Sequence, residues 1–117
     1  MASPRLSRGE SVALDFADAG TSEGLQVWRI EKLKPVPVPE KMYGHFYEGD
    51  SYIVLKTAVS KSGSFTWDIF FWLGNESTTD EQGVAAYKTV ELDDKLGGAA
   101  TQHREEQGFE SDQFMQW

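Results

Sequence analysis

The amino-acid sequence predicts one α+β domain, built on a central β-sheet with one long and one short helix. Three observations favour this fold class. Residues 51–57 and 65–73 are rich in β-branched and aromatic side chains and are separated by a polar, glycine-containing turn. Residues 79–96 contain no proline and are followed by two successive glycines, which is typical of a helix. A length of 117 residues accommodates one hydrophobic core.

The first third of the chain divides into a tail and the start of the sheet. Residues 1–23 are mostly polar or small, so we expect an extended or mobile tail, with one domain at residues 24–117. Residues 25–31 have the composition of a strand. In residues 34–39 every second position is proline. Because proline donates no backbone hydrogen bond, this segment is predicted at an edge of the sheet.

The middle of the chain predicts the centre of the sheet. Residues 51–57 form an almost continuous apolar run, as expected for a strand that is covered on both faces. Residues 60–64 (SKSGS) have hairpin composition, and residues 65–73 are predicted to return as the antiparallel partner strand.

A helix of about five turns is predicted at residues 79–96. Thr78 and Glu81 have the T-x-x-E spacing of a capping box at its start, and Gly97 and Gly98 end it. The remaining elements are a short strand and the start of a second helix, within residues 99–107 and 110–117.

Charge and composition exclude several classes of function. The chain has 11 Lys and Arg against 19 Asp and Glu, a formal net charge of -8, which disfavours nucleic acid as a partner. The absence of cysteine excludes disulfides, thiolate metal sites and cysteine nucleophiles, and it favours a reducing compartment. We find neither an apolar run of the roughly 20 residues that span a membrane nor the pattern of a signal peptide. We therefore expect a soluble, cytoplasmic protein.

Short motifs give no support for an enzyme. Residues 20–24 match G-x-S-x-G, but they lie in a polar segment before a strand and not on a strand-to-helix turn. His45 and His103 lack the i, i+4 spacing of a helical zinc site, so we expect ordinary polar roles for both. Residues 75–77 match a glycosylation acceptor, and we interpret them as a polar loop.

The predicted helix has two candidate apolar faces. A sheet-facing stripe with the spacing of a core consists of Ala85, Thr89, Leu92 and Leu96. A different face carries Tyr87, Val90 and Asp94, with Gly83 and Ala86 nearby. One sheet covers only one face, so the second is explained by a partner, by the tail packing over the helix, or by isolated surface residues.

A family resemblance rests on several separate blocks of sequence. They are residues 26–31 (QVWRIE), 35–39 (PVPVP), 47–57 (YEGDSYIVLKT), 72–74 (WLG), 80–83 (DEQG), 89–98 (TVELDDKLGG), 102–105 (QHRE) and 107–111 (QGFES). In this order the blocks resemble the first gelsolin-like repeat of the gelsolin, villin, severin and fragmin family of actin regulators. The resemblance covers about residues 25–117.

The resemblance implies an actin-depolymerising-factor-like fold and a non-enzymatic, calcium-assisted actin-binding function in the cytoskeleton. The long helix would insert into the cleft between two subdomains of an actin monomer, so that the chain binds monomers or caps filament ends. The implied actin-contacting residues are Ala86, Tyr87, Val90, Glu91 and Asp94. Position 87 is tyrosine here, where the family often has an aliphatic residue.

The resemblance also implies two calcium sites. The first lies inside the domain and uses the Gly49 carbonyl with the carboxylates of Asp50 and Glu81. The second lies at the actin interface and uses the Asp93 carboxylate with carbonyls of Gly98 and Ala100. Oxygen donors of these kinds suit calcium. From the residues alone, Glu81 could instead serve only as the helix cap and Asp93 could be a solvated helix residue.

The end of the sequence limits what the resemblance implies. The family's repeat continues past the short helix into a glycine-rich segment that completes the first calcium site, a final strand and a basic, lipid-responsive stretch. We therefore expect a domain that lacks the last strand, with weak severing activity and no support for phosphoinositide binding.

Three other functions remain open at this stage. A cofilin-like domain would use a comparable helix to bind actin without calcium. A calcium-binding domain without an actin partner would need Asp50 and Glu81 but not Tyr87 or Val90. An acidic hydrolase could use Glu91, Asp93 or Asp94, but no second sequence element defines a substrate cleft.

Overall fold

The computed structural model describes residue 16 and residues 18–115. The strands are β1 (Gly24–Glu31), β2 (Lys34–Pro37), β3 (Ser51–Val59), β4 (Phe65–Leu73) and β5 (Thr101–Glu106). The helices are α1 (Thr79–Lys95) and α2 (Asp112–Met115), and a short 3-10 turn lies at Glu40–Met42. In the part of the chain that is described, we find no helix long and apolar enough to cross a membrane.

The five strands form one mixed sheet in the order β2-β1-β3-β4-β5. Strands β1 to β4 pair antiparallel with their neighbours, and β5 pairs parallel to β4 after the crossover through α1. β3 is the central strand and the proline-containing β2 lies at an edge, as the sequence predicts. The predicted α+β fold, a mixed sheet with one long and one short helix, is confirmed.

Two apolar clusters cover the two faces of the sheet. On the side of α1, Ile53 and Leu55 of β3 pack with residues of β1, β4 and α1. On the opposite side, Tyr52 and Val54 pack with Phe114 of α2 and other aromatic side chains. Because successive side chains of a strand point to opposite faces, β3 supplies both clusters, which explains its continuous apolar sequence.

Part of the expected tail packs against the core, which differs from the sequence-based expectation of an extended or mobile segment. Phe16 is completely buried and its ring meets Trp28 edge-on, with centroids 5.1 Å apart. The Lys95 ammonium donates a hydrogen bond to the Phe16 carbonyl. The Trp67 indole N–H donates to the Gly20 carbonyl at 3.1 Å. The rest of the predicted tail, residues 1–15 and 17, lies outside the described residues.

The C-terminal elements begin later than the predicted segments. The short strand expected within residues 99–107 is β5, which begins at Thr101, and the second helix expected within residues 110–117 is α2, which begins at Asp112. Residues 116–117 lie outside the described residues. The predicted absence of a final strand and the domain boundary at residue 24 stay predictions.

Candidate functional site

Hydrogen bonds fix both ends of α1. At the N-terminus the Thr78 hydroxyl accepts the Glu81 backbone N–H at 3.1 Å, as the capping box predicts. At the C-terminus the Gly98 N–H donates to the Asp93 carbonyl and the Gly97 N–H to the Asp94 carbonyl. Both glycines have positive φ, so this end is a Schellman motif. The helix is therefore set at a defined length across the sheet.

The two faces of α1 differ in burial as the sequence predicts. Ala85, Thr89 and Leu92 are buried against the sheet. On the outer face Tyr87 is 55% exposed and Val90 is 43% exposed, and Asp94 is also exposed. Ala86, beside them, is half-buried. The outer face thus presents two large apolar side chains to solvent.

Glu91 does not lie on this outer face. Its side chain is only 2% exposed, and its Oε1 lies 3.5 Å from the Lys88 ammonium. Its Oε2 is buried without a hydrogen-bond partner. The expectation that Glu91 adds to the exposed actin-contacting face is therefore corrected, because this carboxylate lies on the buried flank of α1 in the structure.

Asp50 and Glu81 line one open cavity of about 360 Å³ at the end of the sheet. Asp50 lies directly before β3, and Glu81 lies in the first turn of α1. The loop before β3 is held against Gly74, whose N–H donates to the Asp50 carbonyl at 3.1 Å. A Cβ at Gly74 would come within 2.4 Å of the Glu48 carbonyl oxygen, so glycine is required for this close approach. Gly49 is exposed in the same loop.

A cation of the chain itself faces this cavity. Arg29 donates to Glu31 at 2.8 Å, and its other terminal nitrogen lies 4.0 Å from the Asp50 carboxylate. The hydrogen bond from Arg29 holds the pKa of Glu31 below its ordinary value, and the same bond raises the pKa of Arg29. The Tyr52 hydroxyl lies 3.5 Å from the Asp50 carboxylate, and burial raises the pKa of Tyr52. Sequence reasoning missed Arg29, because its partner Asp50 is distant along the chain.

The three residues of the second predicted calcium site also lie together. One carboxylate oxygen of Asp93 accepts the Ala100 N–H at 3.0 Å, and the Gly98 N–H donates to the Asp93 carbonyl at 2.8 Å. The second carboxylate oxygen accepts from the Gln102 side chain at 2.9 Å. Asp93 therefore ties the loop after α1 to the helix, and Gln102 is a contact that the sequence did not reveal.

The donor sets match calcium in chemical type. Among the described residues, no group of three or more His, Cys, Asp or Glu side chains is arranged to hold a metal ion. Both predicted sites instead combine one or two carboxylates with backbone carbonyls, and calcium takes six to eight oxygen ligands of these kinds. Each set would therefore supply only part of a calcium coordination shell.

His103 has the ordinary polar role that its sequence context predicts. Its Nε2 lies 2.9 Å from the Asp68 carboxylate, and its ring stacks on Phe70 with centroids 4.4 Å apart. This pair links β5 to β4 through side chains, in addition to their parallel backbone pairing.

Comparison with known proteins identifies related sequences. The family described as "Gelsolin repeat" matches residues 32–115. The actin depolymerising venom protein gelsolin 1 of Platymeris rhadamanthus is 60% identical over 109 residues, which are 92% of this chain and 29% of that protein. Gelsolin of Gallus gallus is 54% identical over 101 residues, which are 86% of this chain and 13% of that protein. The chain thus spans less than a third of the length of either relative.

A solved structure also resembles the fold. It is the complex of Thorarchaeota 2DGel3 with rabbit actin, and the TM-score is 0.63 at 28% sequence identity. The similarity covers 79% of this chain and 41% of the matched chain. Because the family match includes most of the chain and all of the sheet from β2 onward, this chain belongs to the gelsolin-repeat family.

Proposed function

We propose that this chain is a calcium-assisted actin-binding module without enzymatic activity. It binds actin monomers or caps filament ends by placing the outer face of α1 in the cleft between two actin subdomains. The single observation that carries this proposal is the exposure of Tyr87 and Val90 on a helix that already buries its other face in the core. The matched Thorarchaeota protein was solved with actin, which supports actin as the partner.

Burial of the exposed pair supplies the main free energy of the proposed contact. Large apolar side chains in the desolvated centre of an interface contribute most of the binding free energy. Asp94, exposed one turn after Val90, adds a charge at the edge of this surface. Ala86 offers little side-chain volume, so the helix can approach its partner closely.

Calcium assists at two places in this proposal. Gly49, Asp50 and Glu81 would hold one ion inside the domain, where it would link the start of β3 to the first turn of α1. Asp93, Gly98 and Ala100 would hold a second ion beside the actin contact. An ion at either place neutralises carboxylates near the helix, which reduces repulsion within a chain of formal net charge -8.

A cytoplasmic location associated with the cytoskeleton follows from this proposal. The cytoplasmic gelsolin of Homarus americanus is 55% identical to this chain over 100 residues. Monomer binding and end capping are the activities proposed for the module itself.

The proposal is tested by comparing Val90→Asp with Leu92→Asp in an actin-binding assay. Val90→Asp places an unpaired charge in a desolvated contact, so we expect a loss of about 2 to 4 kcal/mol, equivalent to roughly 30-fold to 1,000-fold weaker binding. Its stability should change by no more than about 0.5 kcal/mol, because Val90 is exposed. Leu92→Asp puts a charge in the core and should unfold the domain.

Binding is measured by native gel or co-sedimentation, with calcium and with a chelator. A folded Val90→Asp variant that binds actin as tightly as the wild type would exclude the outer face of α1 as the contact. Equal wild-type binding with calcium and with chelator would instead favour a cofilin-like, calcium-independent binder. Calcium binding without actin binding would indicate a calcium-binding domain with a different partner.

A further inference from the structure

The cavity beside Asp50 contains charges of both signs. Its lining includes the acids Glu31, Asp50, Asp80 and Glu81 and the bases Arg29 and Lys32. Two of these carboxylates, Glu31 and Asp50, already have a positive neighbour in Arg29. Arg29 forms an ion pair with Asp50, with the nearest guanidinium nitrogen and carboxylate oxygen 4.0 Å apart.

Arg29 and Glu81 reach the cavity beside Asp50 from different sides of the sheet. Arg29 lies opposite Tyr52 in the β1-β3 register, and Tyr52 belongs to the cluster on the face away from α1. Residues paired across two strands share a face, so the Arg29 side chain starts from that face. Glu81 comes from α1, which covers the other face. The cavity beside Asp50 thus receives a cation from one side of the sheet and a carboxylate from the other.

We propose that Arg29 is an internal counter-ion of Asp50 that competes with calcium for this carboxylate and so lowers the calcium affinity of the cavity. This inference rests on the calcium site of the proposed function. Without calcium, the guanidinium offsets part of the charge of Asp50. With calcium, the ion takes over this role, and Arg29 keeps its second partner, Glu31, at 2.8 Å.

Glu31 makes this exchange possible at low cost. The planar guanidinium has several N–H donors and can contact two carboxylates at once. When calcium occupies Asp50, Arg29 loses its weaker and longer contact and retains the shorter one. The displaced cation is 39% exposed, so water also solvates it. Arg29 therefore adjusts calcium affinity without blocking the site.

The test is calcium titration of the wild-type chain and of Arg29→Gln by calorimetry. Removing the competing charge should raise calcium affinity up to about 5-fold, equivalent to about 1 kcal/mol, because the pair is partly exposed to solvent. The difference should shrink at high salt, because screening weakens the interaction of partly exposed charges. Terbium luminescence gives a second readout, since the Tyr52 ring lies beside Asp50 and can sensitise a bound lanthanide.

Arg104→Gln is the matched control. Arg104 pairs with Glu106 at 2.9 Å with the same i, i+2 spacing on a strand as Arg29 and Glu31, but it does not line the cavity. Its substitution should leave calcium affinity unchanged. Arg29→Lys, which keeps a charge but lacks the planar fork, should give an intermediate affinity, and this variant carries the test if Arg29→Gln does not fold.

Each outcome decides a different point. The counter-ion role is supported if Arg29→Gln binds calcium more tightly than the wild type and the double variant Arg29→Gln/Asp50→Asn loses this binding. The same comparison applies if wild-type binding is too weak to measure. If Arg29→Gln binds calcium equally or less tightly than the wild type, while Asp50→Asn abolishes wild-type calcium binding, the role of Arg29 is overturned and the calcium site stands. If none of the variants shows calcium binding that depends on Asp50, both the inference and the proposed calcium site are overturned.

Discussion

The carboxylate of Glu110 links the loop before α2 to the sheet. It accepts the Trp72 indole N–H at 3.1 Å and the Gly108 backbone N–H at 3.1 Å. Burial opposes ionisation of this group, but these hydrogen bonds together hold the pKa of Glu110 below its ordinary value. Since Trp72 is buried, its indole nitrogen depends on this acceptor.

Glu110→Ala should destabilise the protein by about 1 to 2 kcal/mol at pH 7, because it leaves the Trp72 N–H without its acceptor. The folded-state pKa of Glu110 is lowered, so the contribution of the ionised form is fully present above the unfolded-state pKa and is lost as pH falls through the folded-state pKa. Urea unfolding at neutral pH and near pH 3 should therefore give a smaller loss in acid. A loss that does not change with pH would mean that the charge of Glu110 contributes nothing.

Roles of single residues were predictable where the partners are close in sequence. The pairing of Thr78 with Glu81 follows from a three-residue spacing and is confirmed. The approach of Arg29 to Asp50 links β1 to the residue before β3, so it depends on the register of the sheet. Glu91 was included in the actin-contacting face through the family resemblance, but its side chain is buried, and this burial depends on tertiary packing around α1.

At the scale of elements, glycines have opposite effects within and beyond α1. Gly83 lies inside the helix, and an added Cβ there would meet nothing within 4 Å. Gly97 lies just after the helix with φ of 78°, a conformation that favours glycine. An added methyl group is therefore accommodated at Gly83, whereas at Gly97 it strains the backbone.

Gly83→Ala should stabilise the domain by about 0.5 to 1 kcal/mol, because alanine has the higher helix propensity. Gly97→Ala should destabilise it by about 1 kcal/mol, because alanine is strained at positive φ in the Schellman motif. Both variants add one methyl group, so each is the control for the other in a urea unfolding experiment. Changes of the same sign would contradict the assignment of the helix end.

Element types were predictable because their signals are local. Composition identified β3 and β4, and the threonine cap and the two glycines located the ends of α1 to within one residue. The parallel pairing of β5 with β4 is a tertiary property, set by the crossover through α1, and no local signal encodes it. α2 begins two residues later than its sequence suggested, a difference that is common at helix ends.

At the scale of the whole molecule, the core extends beyond the sheet and α1. Phe16 joins the cluster formed by Trp28, Ile30 and other residues on the helix side. The sequence placed Phe16 in a tail because its neighbours are polar. Local composition carries no information about the distant core residues, such as Trp28, against which the Phe16 ring packs. The hydrogen bond from Lys95 to the Phe16 carbonyl also connects this segment to the last turn of α1.

Phe16→Ala should therefore destabilise the protein by about 3 kcal/mol, within the range for removing a buried aromatic ring. Phe109→Ala is the matched control, since Phe109 is 83% exposed and its loss should change stability by no more than about 0.5 kcal/mol. Thermal unfolding compares the two, and each kcal/mol corresponds to a shift of roughly 4 °C for a domain of this size. Equal midpoints for the two variants would show that Phe16 adds nothing to the core, and the domain would then begin at β1, as the sequence alone predicted.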